Sequence, residues 1–275
     1  MTYLSAVLLG LVQGICEFLP VSSSGHLALL QQIFHIEGAD MVFDVLLHIG
    51  TLLPVLWMFR KDVRYARRGI LGLIGMGHDR GRNTPRSREN RRLGVFVLVA
   101  TVPMLLSLLL RHAAQSAGER PAVVGILLLL NGGVLYLAGR FGRREKPDKA
   151  ISLLDVFLVG LAQIFAVLPG ISRSGVTISV GLMRGFSKSF AVKFSFLLLI
   201  PAVLGAAIVA VYQAVTLGFD VGLLPMYLAG MAAAAVSGYF AIRLLRWIAT
   251  RGGIGGFAYY CWGAGIVALL LSLVA

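Results

Sequence analysis

The sequence predicts an all-α polytopic membrane protein, with six transmembrane helices and two re-entrant helical hairpins arranged as an inverted-topology repeat. Three observations carry this. Of 275 residues, 58% are hydrophobic and only 13% charged, with a mean hydropathy of +0.86, which is outside the range of soluble domains. Six apolar runs are long enough for a bilayer core. Two further apolar stretches, each broken by a short serine-rich segment, begin and end on the same side of the charge pattern.

The predicted spans are 43–59, 93–110, 122–139, 191–216, 223–242 and 256–275. The connection 60–92 holds eleven Arg or Lys (Arg60, Lys61, Arg64, Arg67, Arg68, Arg80, Arg82, Arg86, Arg88, Arg91 and Arg92) against Asp62, Asp79 and Glu89, so the positive-inside rule places it in the cytoplasm. Arg140, Arg143, Arg144, Lys146 and Lys149 put 140–151 on the same side, as Arg243, Arg246 and Arg251 do for 243–251. The connections 111–121 and 217–222, poor in basic residues, face out. The net charge of +13 is thereby explained by orientation, not by nucleic-acid binding.

Residues near 150 are inside, and so are Arg184, Lys188 and Lys193, yet 153–171 between them is apolar; the segment 152–186 therefore enters and returns. The segment 3–36, interrupted at Pro20, does the same from the outer side, since span 43–59 starts there beside Glu37 and Asp40. Hairpins entering from opposite faces are the product of an inverted repeat, here 1–150 and 151–275 within one membrane domain. Sliding 10–26 onto 160–176 pairs Gly10 with Gly160, Leu11 with Leu161, Gln13 with Gln163, Ser22 with Ser172, Ser24 with Ser174 and Gly25 with Gly175. Chance supplies about one or two such matches in chains of this composition. The amino terminus lacks a signal-peptide pattern, and Cys16 and Cys261 have neither disulfide-framework nor zinc spacing, so both are expected to be packing residues.

Polar groups inside lipid survive where they line a protein-enclosed cavity, which makes the two serine loops the candidate site. In the first, Gln13 and Glu17 share a helical face and Pro20 ends the helix before Ser22-Ser23-Ser24-Gly25-His26. Glu17 in that setting needs a cation, a proton or a partner, and the serines can serve as helix caps as well as ligands. In the second, Ser172-Arg173-Ser174-Gly175 and Thr177 open a helix; an Arg beside free N–H groups suits phosphate oxygens, and the same Arg can instead pair with Glu17. A carboxylate, an Arg and two helix starts at a lipid-facing cavity imply a substrate with both phosphate and lipid. No G-x-x-x-x-G-K-[ST] run supports a nucleotide-driven pump. Ser24-Gly25-His26 is similar to one motif of phosphatidic-acid phosphatases, but Ser179 stands where their third motif has His.

With Gln13-x-x-x-Glu17, Phe18-Leu-Pro-Val-Ser-Ser-Ser-Gly-His26 and Pro169-Gly-Ile-Ser-Arg-Ser-Gly-Val-Thr177, the chain resembles the undecaprenyl-diphosphatase (bacitracin-resistance) family nearly end to end. The resemblance implies hydrolysis of undecaprenyl diphosphate to the monophosphate carrier of cell-wall synthesis, in the bacterial inner membrane; because the first hairpin enters from outside, the reacting phosphate is expected to be reached from the periplasmic or outer face. It implies catalytic roles for Glu17, Ser23, His26 and Arg173, with Gln13, Ser22, Ser24, Gly25, Ser172, Ser174, Gly175 and Thr177 around the phosphates. A divalent cation, Mg²⁺ or Ca²⁺, is expected at Glu17. Because Gln13 takes the amide form, the cation would lean on Glu17, substrate phosphates and water. Asp44 and His48, one turn apart at the start of the next span, are candidates for a supporting layer around the site, with packing or exposure at the interface as the alternative. Ser23 as nucleophile with His26 moving the proton is the favoured chemistry, with attack by His26 or by water left open. The expected partners are the polyprenyl diphosphate and membrane lipids, with no nucleic acid; a homodimer is left open. The rival is a transporter that moves polyprenyl phosphate without cleaving it, since inverted repeats with broken helices also build transporters.

Overall fold

The computed structural model describes residues 1–36, 40–73, 84–142, 145–217, 220–251 and 253–273. Glu37, Asp79, Arg80, Arg82, Arg143 and Arg144 of the charge pattern lie outside the described residues, as does the side chain of Arg86. Among these described residues twelve α-helices follow in order: α1 (Tyr3–Phe18), α2 (Ser23–Ile33), α3 (Met41–Met58), α4 (Arg60–Leu73), α5 (Pro85–Thr101), α6 (Arg111–Gly118), α7 (Pro121–Phe141), α8 (Leu153–Ala162), α9 (Arg173–Met183), α10 (Lys188–Leu217), α11 (Leu224–Arg251) and α12 (Phe257–Leu271). No strand occurs among the described residues.

Among the described residues, six helical segments are long and apolar enough to cross a membrane: Met41–Met58, Ser87–Gly118, Pro121–Phe141, Lys188–Thr216, Val221–Arg251 and Ile254–Leu271. Each contains or overlaps one predicted span. The ends differ because helices do not stop where hydrophobicity does. The stretch 243–251, expected as a connection, is the last part of α11; Arg243, Arg246 and Arg251 continue the helix and lay their guanidinium groups over Tyr239, Phe59 and Trp247. The connection 111–121 carries α6, and 60–92 carries α4 and the first turns of α5, with Gly69 packed so closely that a Cβ would lie 2.0 Å from the Asn90 carbonyl oxygen. Pro103 opens a 3-10 stretch, Pro103–Leu110, inside the second span, since it cannot donate to the preceding turn.

α1 and α8 are shorter, 16 and 10 residues, and each is followed by a loop and a second short helix. At 1.5 Å per residue α1 is about 24 Å long, below the roughly 30 Å of a hydrocarbon core. The two units begin alike: Thr2 and Ser152 close capping boxes with Ser5 and Asp155. They also restart alike, Ser22 capping α2 through the Gly25 N–H and Ser172 capping α9 through the Gly175 N–H.

Packing is by small residues. α1 lies along α11 with Gly10 against Gly230 and Gly14 against Ser237, where a Cβ would come to 2.2 Å and 2.0 Å of the facing oxygens. α7 pairs with α12, and α3 with both α11 and α10. Phe18, at the end of α1, is fully buried edge-on to Phe196 of α10, which also meets Phe59, so the first loop is seated on the core. Cys16 and Cys261 are buried and unbridged, as expected of packing residues.

The basic segments are joined by contacts. Lys193 pairs with Asp62 at 3.2 Å, Arg92 donates to the carbonyls of Asp148 and Ile151, and Asp155 holds both Lys146 (3.4 Å) and Arg184 (2.6 Å). In a separate group, Gln32 donates to the Gly118 carbonyl and Arg111 approaches Met41, which links the end of α2 and the start of α3 to 111–118.

Candidate functional site

The two serine loops touch. The Gly170 N–H donates to Ser22 Oγ at 3.0 Å, and Ser174 Oγ donates to the Leu19 carbonyl at 3.3 Å. Asn131, from α7 and fully buried, stitches them: its Nδ2 donates to the Pro20 carbonyl at 3.0 Å while its Oδ1 accepts from the Ser172 N–H at 3.0 Å. Each loop meets the tight turn differently. Gly170 takes φ +113°, where a Cβ would crowd Leu127, whereas the first loop places the non-glycine Ser22 at φ +70°.

Glu17 is the hub. It is buried, and its Oε2 accepts from Ser23 Oγ at 2.7 Å and from Gln13 Nε2 at 3.1 Å, while its Oε1 accepts from Arg173 Nη2 across 156 residues of sequence. His48 Nε2 lies 3.7 Å from Oε2. The pairing of Glu17 with Arg173, one of the two roles open to this Arg from sequence, is therefore realised. A second donor is left over: Arg173 Nη1 is buried with no hydrogen-bond partner among the described residues, and so is Asp44 Oδ1 as an acceptor.

A cavity of about 360 Å³ opens beside this cluster, lined by Glu17, Ser22, Ser23, Ser24, Asp44, His48, Ser172 and Arg173, and on its apolar side by Met41, Val45, Ala166, Val167, Leu199, Ala202, Val203 and Ala206. Clefts of about 560 and 780 Å³ among the basic connections contain none of the predicted site residues.

The other predicted residues stand behind this wall. Gln13 is fully buried and spends its amide on Glu17. The N–H groups of Gly25 and Gly175 are taken by the Ser22 and Ser172 caps, Ser174 bonds Ser172 and Leu19, and Thr177 bonds Ser195 at 2.6 Å. His26 is not bonded to Ser23. Its Nδ1 lies 2.8 Å from the Ser22 carbonyl and its Nε2 2.8 Å from the hydroxyl of Tyr260 on α12. Sequence reasoning overlooked Asn131, Ser195 and Tyr260. Asn131 did carry a signal, as the one amide within the apolar run 122–139; Tyr260 carried none, because tyrosines are ordinary near span ends.

Among the described residues no group of three or more His, Cys, Asp and Glu is arranged to hold a metal ion. Of the four lone-pair positions on Glu17, three already face donors. The unpartnered Asp44 Oδ1 in the same cavity is a hard oxygen of the kind Mg²⁺ or Ca²⁺ accepts, so the residues fit a cation whose remaining ligands are phosphate oxygens and water.

Comparison with known proteins shows the family. The family model for Bacitracin resistance protein BacA matches residues 6–267. A protein of Alkaliphilus metalliredigens named undecaprenyl-diphosphatase is 38% identical over 277 residues, covering all of both chains. Proteins of the same name from Methanobrevibacter smithii and Carboxydothermus hydrogenoformans are 39% and 38% identical, with 99% of this chain covered in each and 99% and 98% of theirs. Both loops and every helix from α2 to α11 lie within the matched range, and the chain therefore belongs to the Bacitracin resistance protein BacA family.

Proposed function

We propose that this protein is a membrane hydrolase that removes the terminal phosphate of undecaprenyl diphosphate, returning undecaprenyl phosphate to cell-wall synthesis and raising resistance to bacitracin. The name shared by its relatives supports the substrate. The observation that carries the chemistry is one cavity in which Ser23 Oγ donates to Glu17 while Arg173 keeps a buried N–H free.

In this reading the terminal phosphate lies against Arg173 Nη1, with the prenyl chain leaving over Leu199, Ala202, Val203 and Ala206. Ser23 Oγ attacks the terminal phosphorus and passes its proton to Glu17. The bond to the bridging oxygen breaks, the lipid monophosphate leaves with the electron pair, and water then displaces phosphate from the serine. Sequence reading assigned the proton to His26; the geometry favours Glu17, because it is 2.7 Å from the hydroxyl and both His26 nitrogens are engaged elsewhere. A divalent cation held by Glu17 and Asp44 would supply charge neutralisation to the transferring phosphoryl group. Purified protein in detergent should release inorganic phosphate from a long-chain prenyl diphosphate, and chelator should suppress release. Binding of the lipid with no phosphate released would favour transport without cleavage.

The same proposal includes an inverted repeat of 1–150 and 151–275, its short helix pairs entering the inner membrane from opposite faces, with the basic end cytoplasmic and the site reached from the periplasm. The matched capping of α1 with α8 and of α2 with α9 supports it. Cysteines placed at exposed Gln115 and Lys149 test it in intact cells: an impermeant maleimide should label the first and spare the second. Labelling at Lys149 alone would reverse the orientation.

A further inference from the structure

Tyr260 belongs to none of the sequence motifs, yet its hydroxyl lies 2.8 Å from His26 Nε2, and the two rings are nearly parallel, with 13° between planes and 5.7 Å between centroids. The other ring nitrogen, Nδ1, is 2.8 Å from the Ser22 carbonyl oxygen. A carbonyl only accepts, so Nδ1 carries the hydrogen; in the neutral ring Nε2 then holds the lone pair, and the Tyr260 O–H donates to it. The bond direction thus runs from Tyr260 through His26 to Ser22.

Ser22 is where this matters. It stands at φ +70° and ψ +97°, a region costly for a residue with a Cβ, and such a conformation lasts only where its surroundings hold it. Its carbonyl receives both the His26 ring and the His26 backbone N–H (3.2 Å), and its next neighbour is Ser23, whose hydroxyl points to Glu17. The position of Tyr260 is itself fixed from the loop side: Asn131 Nδ2, already on the Pro20 carbonyl, also reaches the sulfur of the adjacent, fully buried Cys261 at 3.3 Å. α12 and the first loop therefore share one register.

We infer that Tyr260 is a positioning residue: its hydroxyl donates to Nε2 and fixes the His26 ring, the Nδ1–H of that ring holds the strained Ser22 carbonyl, and this aims Ser23 at Glu17. The inference deepens the reading of Ser23 and Glu17 as the reacting pair and rests on it.

The test uses the full-length protein in detergent. With ¹⁵N-histidine labelling, and the His26 signal assigned by its loss in His26→Asn, wild type should have His26 protonated on Nδ1 with a hydrogen-bonded Nε2, and Tyr260→Phe should keep that tautomer while its Nε2 signal moves to that of an unbonded ring nitrogen. Tyr260→Phe should also turn over about tenfold more slowly with KM within about twofold, as misaimed groups cost rate more than binding. His26→Asn, whose amide can still donate to the Ser22 carbonyl, should outperform His26→Ala, and adding Tyr260→Phe to it should cost nothing further. The inference is overturned if wild-type His26 carries its proton on Nε2, if Tyr260→Phe keeps wild-type kcat, or if that substitution slows His26→Asn as much as it slows wild type. The tautomer measurement needs no substrate, so its failure is separable from failure of the diphosphatase reading.

Discussion

Glu17→Gln is expected to reduce phosphate release by about 10³-fold or more, within the range that a lost proton acceptor usually costs. The carboxylate has two duties that an amide cannot perform. It takes the Ser23 proton, and it balances the largely buried guanidinium of Arg173. The amide keeps the shape but offers Ser23 a far weaker base and leaves Arg173 as an uncompensated charge, and breaking one side of a buried pair typically costs about 3–5 kcal/mol. Glu17→Gln should therefore lower the thermal midpoint as well as the rate. Removing the charge from both sides, in Glu17→Gln with Arg173→Gln, should recover much of the midpoint and none of the activity. Phosphate release and thermal unfolding in the same detergent separate the two effects. A Glu17→Gln protein with wild-type turnover would end its assignment as the proton acceptor.

Ser23→Ala is expected to fall by a similar factor in turnover, but with the opposite stability pattern. It deletes one oxygen whose described bond is the donation to Glu17, and Glu17 retains Gln13 and Arg173. Fold and lipid affinity should persist while phosphate release falls by that factor. Arg173 Nη1 remains to bind the diphosphate, so the lipid should still protect Ser23→Ala against thermal unfolding. Turnover within a few-fold of wild type would mean that water, not the Ser23 hydroxyl, attacks the phosphorus.

Much of this site was legible in the chain because membrane insertion leaves polar residues few reasons to exist. Glu17, Ser22, Ser23, Ser24, Ser172 and Arg173 stood out against apolar surroundings, and all six line one cavity. Asp44 and His48, chosen for their one-turn spacing, line it too. The motif neighbours Gly25, Ser174, Gly175 and Thr177 were read as phosphate ligands but sit behind the wall, because helix caps and interloop bonds use the same residue types as anion binding. A sequence string does not distinguish a hydroxyl aimed at a cavity from one aimed at a carbonyl.

Sequence alone determined the membrane class, the six spans and the two serine loops, since hydropathy and charge act locally and sum along the chain. Only the tertiary structure decided that Glu17 meets Arg173, that Asn131 stitches the loops, and that His26 turns toward Tyr260 instead of Ser23. Those outcomes depend on bond directions between residues 41 to 234 positions apart, and no local pattern encodes which of several polar partners a buried group will face.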